Sequence, residues 1–319
     1  MKRILSGLAL AAWALASPAG AQTAVPKQIK IVVPFSAGAS NDAIARAIAS
    51  QLGDELKAVV IVENRAGAAG IIGSEYVAKS PKDGTTLLLT SSTFLTSAAT
   101  QPQMPYDPVK SFAPVAMVGQ GPLVVAVSGL APYGDLKSLL DQARGKPDTL
   151  NYGTAGIGSL AHLATVMMDD AAKVSMTHVP YKGAANAASD LAGGQIDVML
   201  ANYSSLASLE QGGKIKLVAT TAKDASPAFP KLPPASSVVP GFAIDIWVGV
   251  FAPAGTPQDL VDRYNKAINR ISRTRQTTAL LDMDGTVPES LTSAEFGERV
   301  SRDYAQWRDL ARSHHITVE

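Results

Sequence analysis

Not one of the 319 residues is cysteine. That excludes disulfides, a thiolate nucleophile and a cysteine-ligated metal. Charge is scarce as well: charged residues make up 17% of the chain and the formal net charge is +1. A nearly neutral chain has no electrostatic footprint for nucleic acid. Of the 4 histidines, His314 and His315 sit together at the tail and suggest weak metal affinity at most. No phosphate-binding lysine motif and no nucleophile-elbow serine motif occurs. Apolar runs of membrane-spanning length are missing too; the one long apolar run, at the N-terminus, is short for a spanning helix.

That N-terminal run reads as an export leader. Lys2-Arg3 is a basic start, Ile4 to Ser17 is rich in Ala and Leu, and Ala19-Gly20-Ala21 fits the small-x-small rule for cleavage. Cleavage is predicted after Ala21, with residues 1–21 as signal peptide and Gln22 opening the mature chain. Losing Lys2 and Arg3, and no acids, takes the formal charge from +1 to −1. The expected product is a soluble, periplasmic protein stabilised by its core.

What the chain does have is hydrophobic content, 46%, and length enough for two packed domains. Two stretches look like one device used twice. Ile29-Lys-Ile-Val-Val-Pro34 runs into Phe35-Ser-Ala-Gly-Ala-Ser-Asn-Asp42 and then an amphipathic helix with Ile44, Ile48 and Leu52 on one stripe. Thr149-Leu-Asn-Tyr152 runs into Gly153-Thr-Ala-Gly-Ile-Gly-Ser159 and then Leu160 to Met168. Each reads as strand, small-residue loop and helix, which presents main-chain N–H groups at a helix N-terminus, a seat for an anion. A carboxylate entering a cleft loses water and must regain hydrogen bonds. Two such seats point to a carboxylate-bearing ligand held between two lobes.

Further strands are predicted over 58–62, where a continuous β-branched run suggests a buried parallel strand, and over 85–90, 123–127, 175–179, 196–200, 216–220 and 246–251. Strand alternating with helix implies parallel sheets. Residues 102–114 read as a proline-rich connection, and Thr256 with Pro257 as the cap and first residue of a long helix. Lobe 1 is expected to comprise residues 22–124 and 246–319, and lobe 2 residues 125–245.

The candidate ligand-binding set is Phe35, Ser36, Ala37, Gly38, Ala39, Ser40, Asn41 and Asp42 in the first loop, and Thr154, Ala155, Gly156, Ser159 and His162 in the second. Ser91 and Ser92, and Asn202, follow strands where ligand-facing loops of open α/β sheets lie. Ser40, Asn41 and Ser159 taken singly read first as helix caps, and Asp42 as a first-turn complement to the helix dipole; the pairing of the two loops turns the reading toward a ligand for the loops as wholes. Ser159 and His162 fall one helical turn apart, but no third partner completes a hydrolase. Gly153-x-x-Gly156-x-Gly158 has the wrong spacing for a dinucleotide fingerprint. No catalytic residue, cofactor or metal is expected.

In order and spacing, a set of segments resembles the Bug-type solute receptors of tripartite tricarboxylate transporters. They are Ile31 to Gly38 with Asp42, Val62-Glu-Asn-Arg65 with Gly67 and Gly70, Asp83-Gly84, Tyr106-Asp-Pro-Val-Lys110 with Phe112-Ala-Pro114, Leu150-Asn-Tyr152, His178-Val-Pro-Tyr-Lys-Gly183, Gly194-Gln-Ile-Asp197, and Phe251 to Pro257. The resemblance implies an α/β, type II periplasmic binding protein fold: two α/β lobes joined by two crossing strands, with a ligand cleft between them. It implies a non-enzymatic receptor that hands a small carboxylate to membrane permease subunits; in some relatives the partner is a sensor protein. Ala39 and Asn41 depart from the family's usual glycine and hydroxyl residue, adding a methyl and an amide to the loop.

Overall fold

The computed structural model describes residues 23–318, so the leader and its cleavage site lie outside the described residues. In the first lobe the apolar run of β1 (Gln28–Val33) is buried, and α1 (Ser40–Leu56) lays Ile44, Ile48 and Leu52 against the sheet, as their spacing requires. β2 (Val59–Asn64) pairs parallel with β1 from Gln28↔Val59 to Val33↔Asn64. It is an edge strand, not the buried strand its composition suggests: Val59 is 62% exposed and Ile61 39%. A continuous apolar run does not report whether another strand lies beyond it. α2 (Ile71–Ala78), β3 (Thr86–Ser91) and α3 (Thr93–Thr100) follow.

β4 (Phe112–Pro122) is an eleven-residue strand, and its first three residues fall within the stretch read as a proline-rich connection. Pro114 is tolerated because the pairing with the later strand β10 (Asp245–Pro253) shifts register there, between Val250↔Ala116 and Phe251↔Pro114. The chain then enters the second lobe through β5 (Val124–Ser128), α4 (Leu136–Gly145), β6 (Asn151–Thr154), α5 (Leu160–Ala172) and β7 (Thr177–Pro180). α6 (Ala184–Ala192), β8 (Val198–Ala201), α7 (Ala207–Gln211) and β9 (Ile215–Thr220) complete it. β10 returns to the first lobe and leads to α8 (Gln258–Ile271), α9 (Arg275–Leu281), β11 (Val287–Pro288) and α10 (Ser293–Ser313). α8 starts one residue later than expected. Pro257 holds the cap position, and the buried Thr256 hydroxyl turns back to donate to the Pro253 carbonyl at 2.8 Å.

The first sheet has the order β11-β4-β10-β3-β1-β2 and the second β7-β6-β8-β5-β9. Both are mixed, correcting the parallel expectation. β2, β1 and β3 run parallel, as do β7, β6 and β8, but β10 and β5 are antiparallel to their neighbours. Each of these is the first strand after the chain crosses from the other lobe, so it enters its sheet from the far end. The crossings are tied at Thr221, whose hydroxyl accepts from Leu123 N at 2.8 Å and donates to the Ile244 carbonyl at 2.6 Å. Behind the cleft, α10 of the first lobe reaches α5 of the second, with His314 and Asp170 paired at 2.7 Å.

Candidate functional site

β1, β3, β6 and β8 all end at one place, the gap between the lobes. Loops at the carboxyl ends of parallel strands are where open α/β sheets take ligands. The gap encloses a cavity of about 560 Å3, within the range of small-molecule sites. Of the candidate residues, Phe35, Ser36, Ala39, Ser40, Asn41, Ser91, Ala155, Ser159 and Asn202 line it. Ala37, Gly38, Asp42, Ser92, Thr154, Gly156 and His162 do not. Loops from opposite halves of the molecule therefore share one cavity.

The two helix starts differ. Ala39 occupies the cap position of α1 and offers no side-chain acceptor, and neither Ser40 nor Asn41 caps. The N–H groups of Ser40 and Asn41 have no protein acceptor among the described residues. At α5, Ser159 is the cap, its hydroxyl accepting from His162 N at 3.3 Å. The amides of Gly156, Gly158 and Ser159 are engaged internally, while those of Ala155, Leu160 and Ala161, all cavity-lining residues, are without acceptors among the described residues. Leu160 and Ala161 were not among the sequence candidates, because an apolar side chain hides a useful main-chain donor.

Asp42 sits beneath the first loop and is 3% exposed. Its carboxylate accepts from Arg46 Nε at 3.0 Å, Gly38 N at 2.9 Å and Asn64 Nδ2 at 2.9 Å. The Arg46 guanidinium, with the Gly38 and Asn64 donors, holds the acid down at about 2 despite burial. Asp42 thus ties the loop to α1 and to the end of β2. Ser92, Phe94 and Trp247 are buried, Trp247 with its indole donating to Asp303 at 3.0 Å. Arg65 lies outside the cavity, pairing with Glu63 and covering the Tyr76 ring at 3.6 Å.

His162 and Ser159 do not form a nucleophile pair. The His162 ring accepts from Gly158 N at 3.2 Å and stacks on His178, ring centroids 3.8 Å apart. His178 in turn lies 2.7 Å from the Thr154 hydroxyl. Burial lowers both rings to about 4, His178 adding to the shift at His162, so both are neutral at pH 7. In the unfolded chain they would charge near 6.5, so this pair withdraws stability as pH falls from 6.5 to 4. Asp169 on α5 acts in the opposite sense. Burial raises it to about 7, so it withdraws stability as pH rises from 3.8 to 7. Asp169→Asn is therefore expected to raise the melting temperature at pH 8 and to steepen its fall between pH 6.5 and 5. A melting curve series with the wild-type slope would refute that assignment.

One residue that sequence reasoning missed spans the cavity. Asp284, between α9 and β11, accepts from Ser204 N at 2.8 Å and from Asn202 Nδ2 at 3.1 Å, joining the lobes across the cavity. Gly158, next to the cavity-lining Ser159, packs against Thr100 at the end of α3; a Cβ on Gly158 would lie 2.2 Å from the Thr100 hydroxyl. Among the described residues, no lysine, arginine or histidine lines the cavity, and no cluster of three His, Cys, Asp or Glu is placed to hold a metal.

A family model described as the tripartite tricarboxylate transporter family receptor matches residues 44–313. The protein BugT of Bordetella pertussis is 31% identical over 317 residues, covering 98% of this chain and 97% of that one. An R. palustris protein solved with adipate superposes with a TM-score of 0.80 at 30% identity, covering 91% of this chain and 98% of the other. MatC from Rhodopseudomonas palustris, solved with bound malate, gives 0.76 at 29% identity, covering 89% and 98%.

Proposed function

The chain belongs to the tripartite tricarboxylate transporter receptor family, a family of periplasmic solute-binding proteins, and on that premise we propose that it binds a small carboxylate between its lobes and delivers it to the permease subunits of such a transporter. The observation that carries this reading is the set of unpaired main-chain donors on residues lining one cavity from both sides: Ser40 and Asn41 from the first lobe, Ala155, Leu160 and Ala161 from the second. Adipate and malate in the two solved relatives are the same class of ligand. The ligand's carboxylate sits at the start of α1, where the partial positive charge of an uncapped helix adds to the two amides. Residues 22–124 with 246–319 then close on residues 125–245 by rotation about the Thr221 crossing.

A micromolar Kd corresponds to about −8 kcal/mol, within reach of several charge-assisted hydrogen bonds plus closure. The test is a thermal-shift screen of the mature protein against small carboxylic acids, followed by calorimetry. At least one acid is expected to raise the melting temperature, and its uncharged amide is not. Because neutral donors hold the anion, affinity is expected to fall only mildly between 50 and 300 mM salt. A screen with no responding acid overturns the reading, and a steep salt dependence overturns the neutral-donor mechanism. Loss of uptake in a strain lacking the protein separates delivery from sensing.

A further inference from the structure

We propose that Asp284 selects the charge of the ligand: one carboxylate end, and at the other end a hydrogen-bond donor, ammonium or carboxamide, in place of a second carboxylate. This rests on the receptor reading above and names its substrate class. Asp284 is 4% exposed and is the only ionisable side chain lining the cavity among the described residues. It takes part in no ion pair there, unlike Asp42, whose charge is answered by Arg46. The rest of the wall is apolar side chains, hydroxyls and the amides of Asn41 and Asn202. No cationic side chain faces Asp284 across the cavity; the positive partial charges there are the free main-chain N–H groups at the starts of α1 and α5.

Two consequences follow from elementary electrostatics. A second carboxylate brought within ~6 Å of Asp284, at an effective dielectric of about 20, loses roughly a hundredfold in affinity. Asp284 also has acceptor capacity left. A carboxylate offers about four lone-pair sites, and Ser204 N and Asn202 Nδ2 fill one on each oxygen. A buried acceptor with free lone pairs favours a ligand that brings a donor. The anion seat of α1 and the acceptor at Asp284 give the cavity a polarity, with carboxylate wanted at the one and N–H at the other.

The same hydrogen bonds make Asp284 a bridge between the lobes, so the test must separate charge selection from bridging. Asp284→Asn does so. The amide oxygen still accepts from Ser204 N, and the Asn202 amide can flip to accept from the new NH2 group. Calorimetry on the mature protein compares wild type and Asp284→Asn with four probes of one length: glutarate, glutaramate, 5-aminopentanoate and pentanoate. Wild type is expected to bind 5-aminopentanoate or glutaramate at least tenfold more tightly than glutarate and pentanoate. In Asp284→Asn that preference over glutarate is expected to shrink at least tenfold, mainly through tighter glutarate binding. If glutarate or pentanoate binds wild type as tightly as the donor-ended probes, or if Asp284→Asn changes all affinities by one factor, charge selection is overturned and the receptor reading stands. If no carboxylate binds, in this set or in the wider screen, the receptor reading falls and takes this one with it.

Discussion

Gly158→Ala is expected to weaken binding of the acid identified by screening at least tenfold. Gly158 has φ +78°, where a Cβ costs about 1 kcal/mol or more. That Cβ would also lie 2.2 Å from the Thr100 hydroxyl and 3.2 Å from its Cβ. Thr100 is buried and its hydroxyl already donates to the carbonyls of Thr96, at 3.0 Å, and Ser97, so turning it away sacrifices both bonds. Overpacking of this kind costs about 1–3 kcal/mol. Gly158 belongs to the second lobe and Thr100 to the first, so the strain is relieved by moving the lobes apart. The penalty then falls on the arrangement that encloses ligand, at about 1.4 kcal/mol per tenfold in Kd. Calorimetry of Gly158→Ala, Thr100→Ala and the double variant checks this. The double variant recovers the steric part and keeps the φ part, while Gly134→Ala, with open space around it, binds as wild type. If Gly158→Ala binds normally and only melts earlier, the contact serves the second lobe alone.

The parts of this arrangement that were legible in the sequence are those set by local chemistry. Ile44, Ile48 and Leu52 announce a helix and its buried face because the period is 3.6 and the partner is any sheet. The two small-residue loops announce themselves because a run such as Ser36 to Ser40 is too small and polar to be core. What was not legible depends on partners distant in sequence. β2 carries the composition of a buried strand, and only the absence of a neighbour beyond it makes it an edge. β4 is masked by prolines, of which Pro114 is accommodated by a register shift against β10, some 130 positions later. Asp284 lies in Asp282-Met-Asp-Gly285, which reads as an ordinary turn; its partners Asn202 and Ser204 are 82 and 80 positions away. Leu160 and Ala161 contribute through the main chain, which side-chain patterns do not report.

Asp42→Ala is expected to cost both stability and binding, because one carboxylate organises the first loop from below. Removing it takes the acceptor from the Gly38 N–H, on an exposed residue that water can reach, and from one N–H of the half-buried Asn64 amide, which keeps its bond to the Phe35 carbonyl at 3.2 Å. Each such loss costs about 0.5–1.5 kcal/mol, because water replaces part of what the carboxylate supplied. The Arg46 contribution is discounted, since that guanidinium is about half exposed and finds water or Asn64 instead. The sum is about 1–3 kcal/mol at pH 7, read as a lower urea midpoint at unchanged m-value. Binding is expected to fall at least tenfold, since Gly38 (φ +82°) fixes the turn that presents Ser40 and Asn41. The pH dependence has a definite sign. Asp42 is held at about 2 in the folded protein against 3.8 ordinarily, so its stabilisation is complete above 3.8 and is lost as pH falls toward 2. The stability gap between wild type and Asp42→Ala is therefore constant from pH 8 to 5 and narrows below 4. A gap that is already closing at pH 6 would mean that a different group holds the loop.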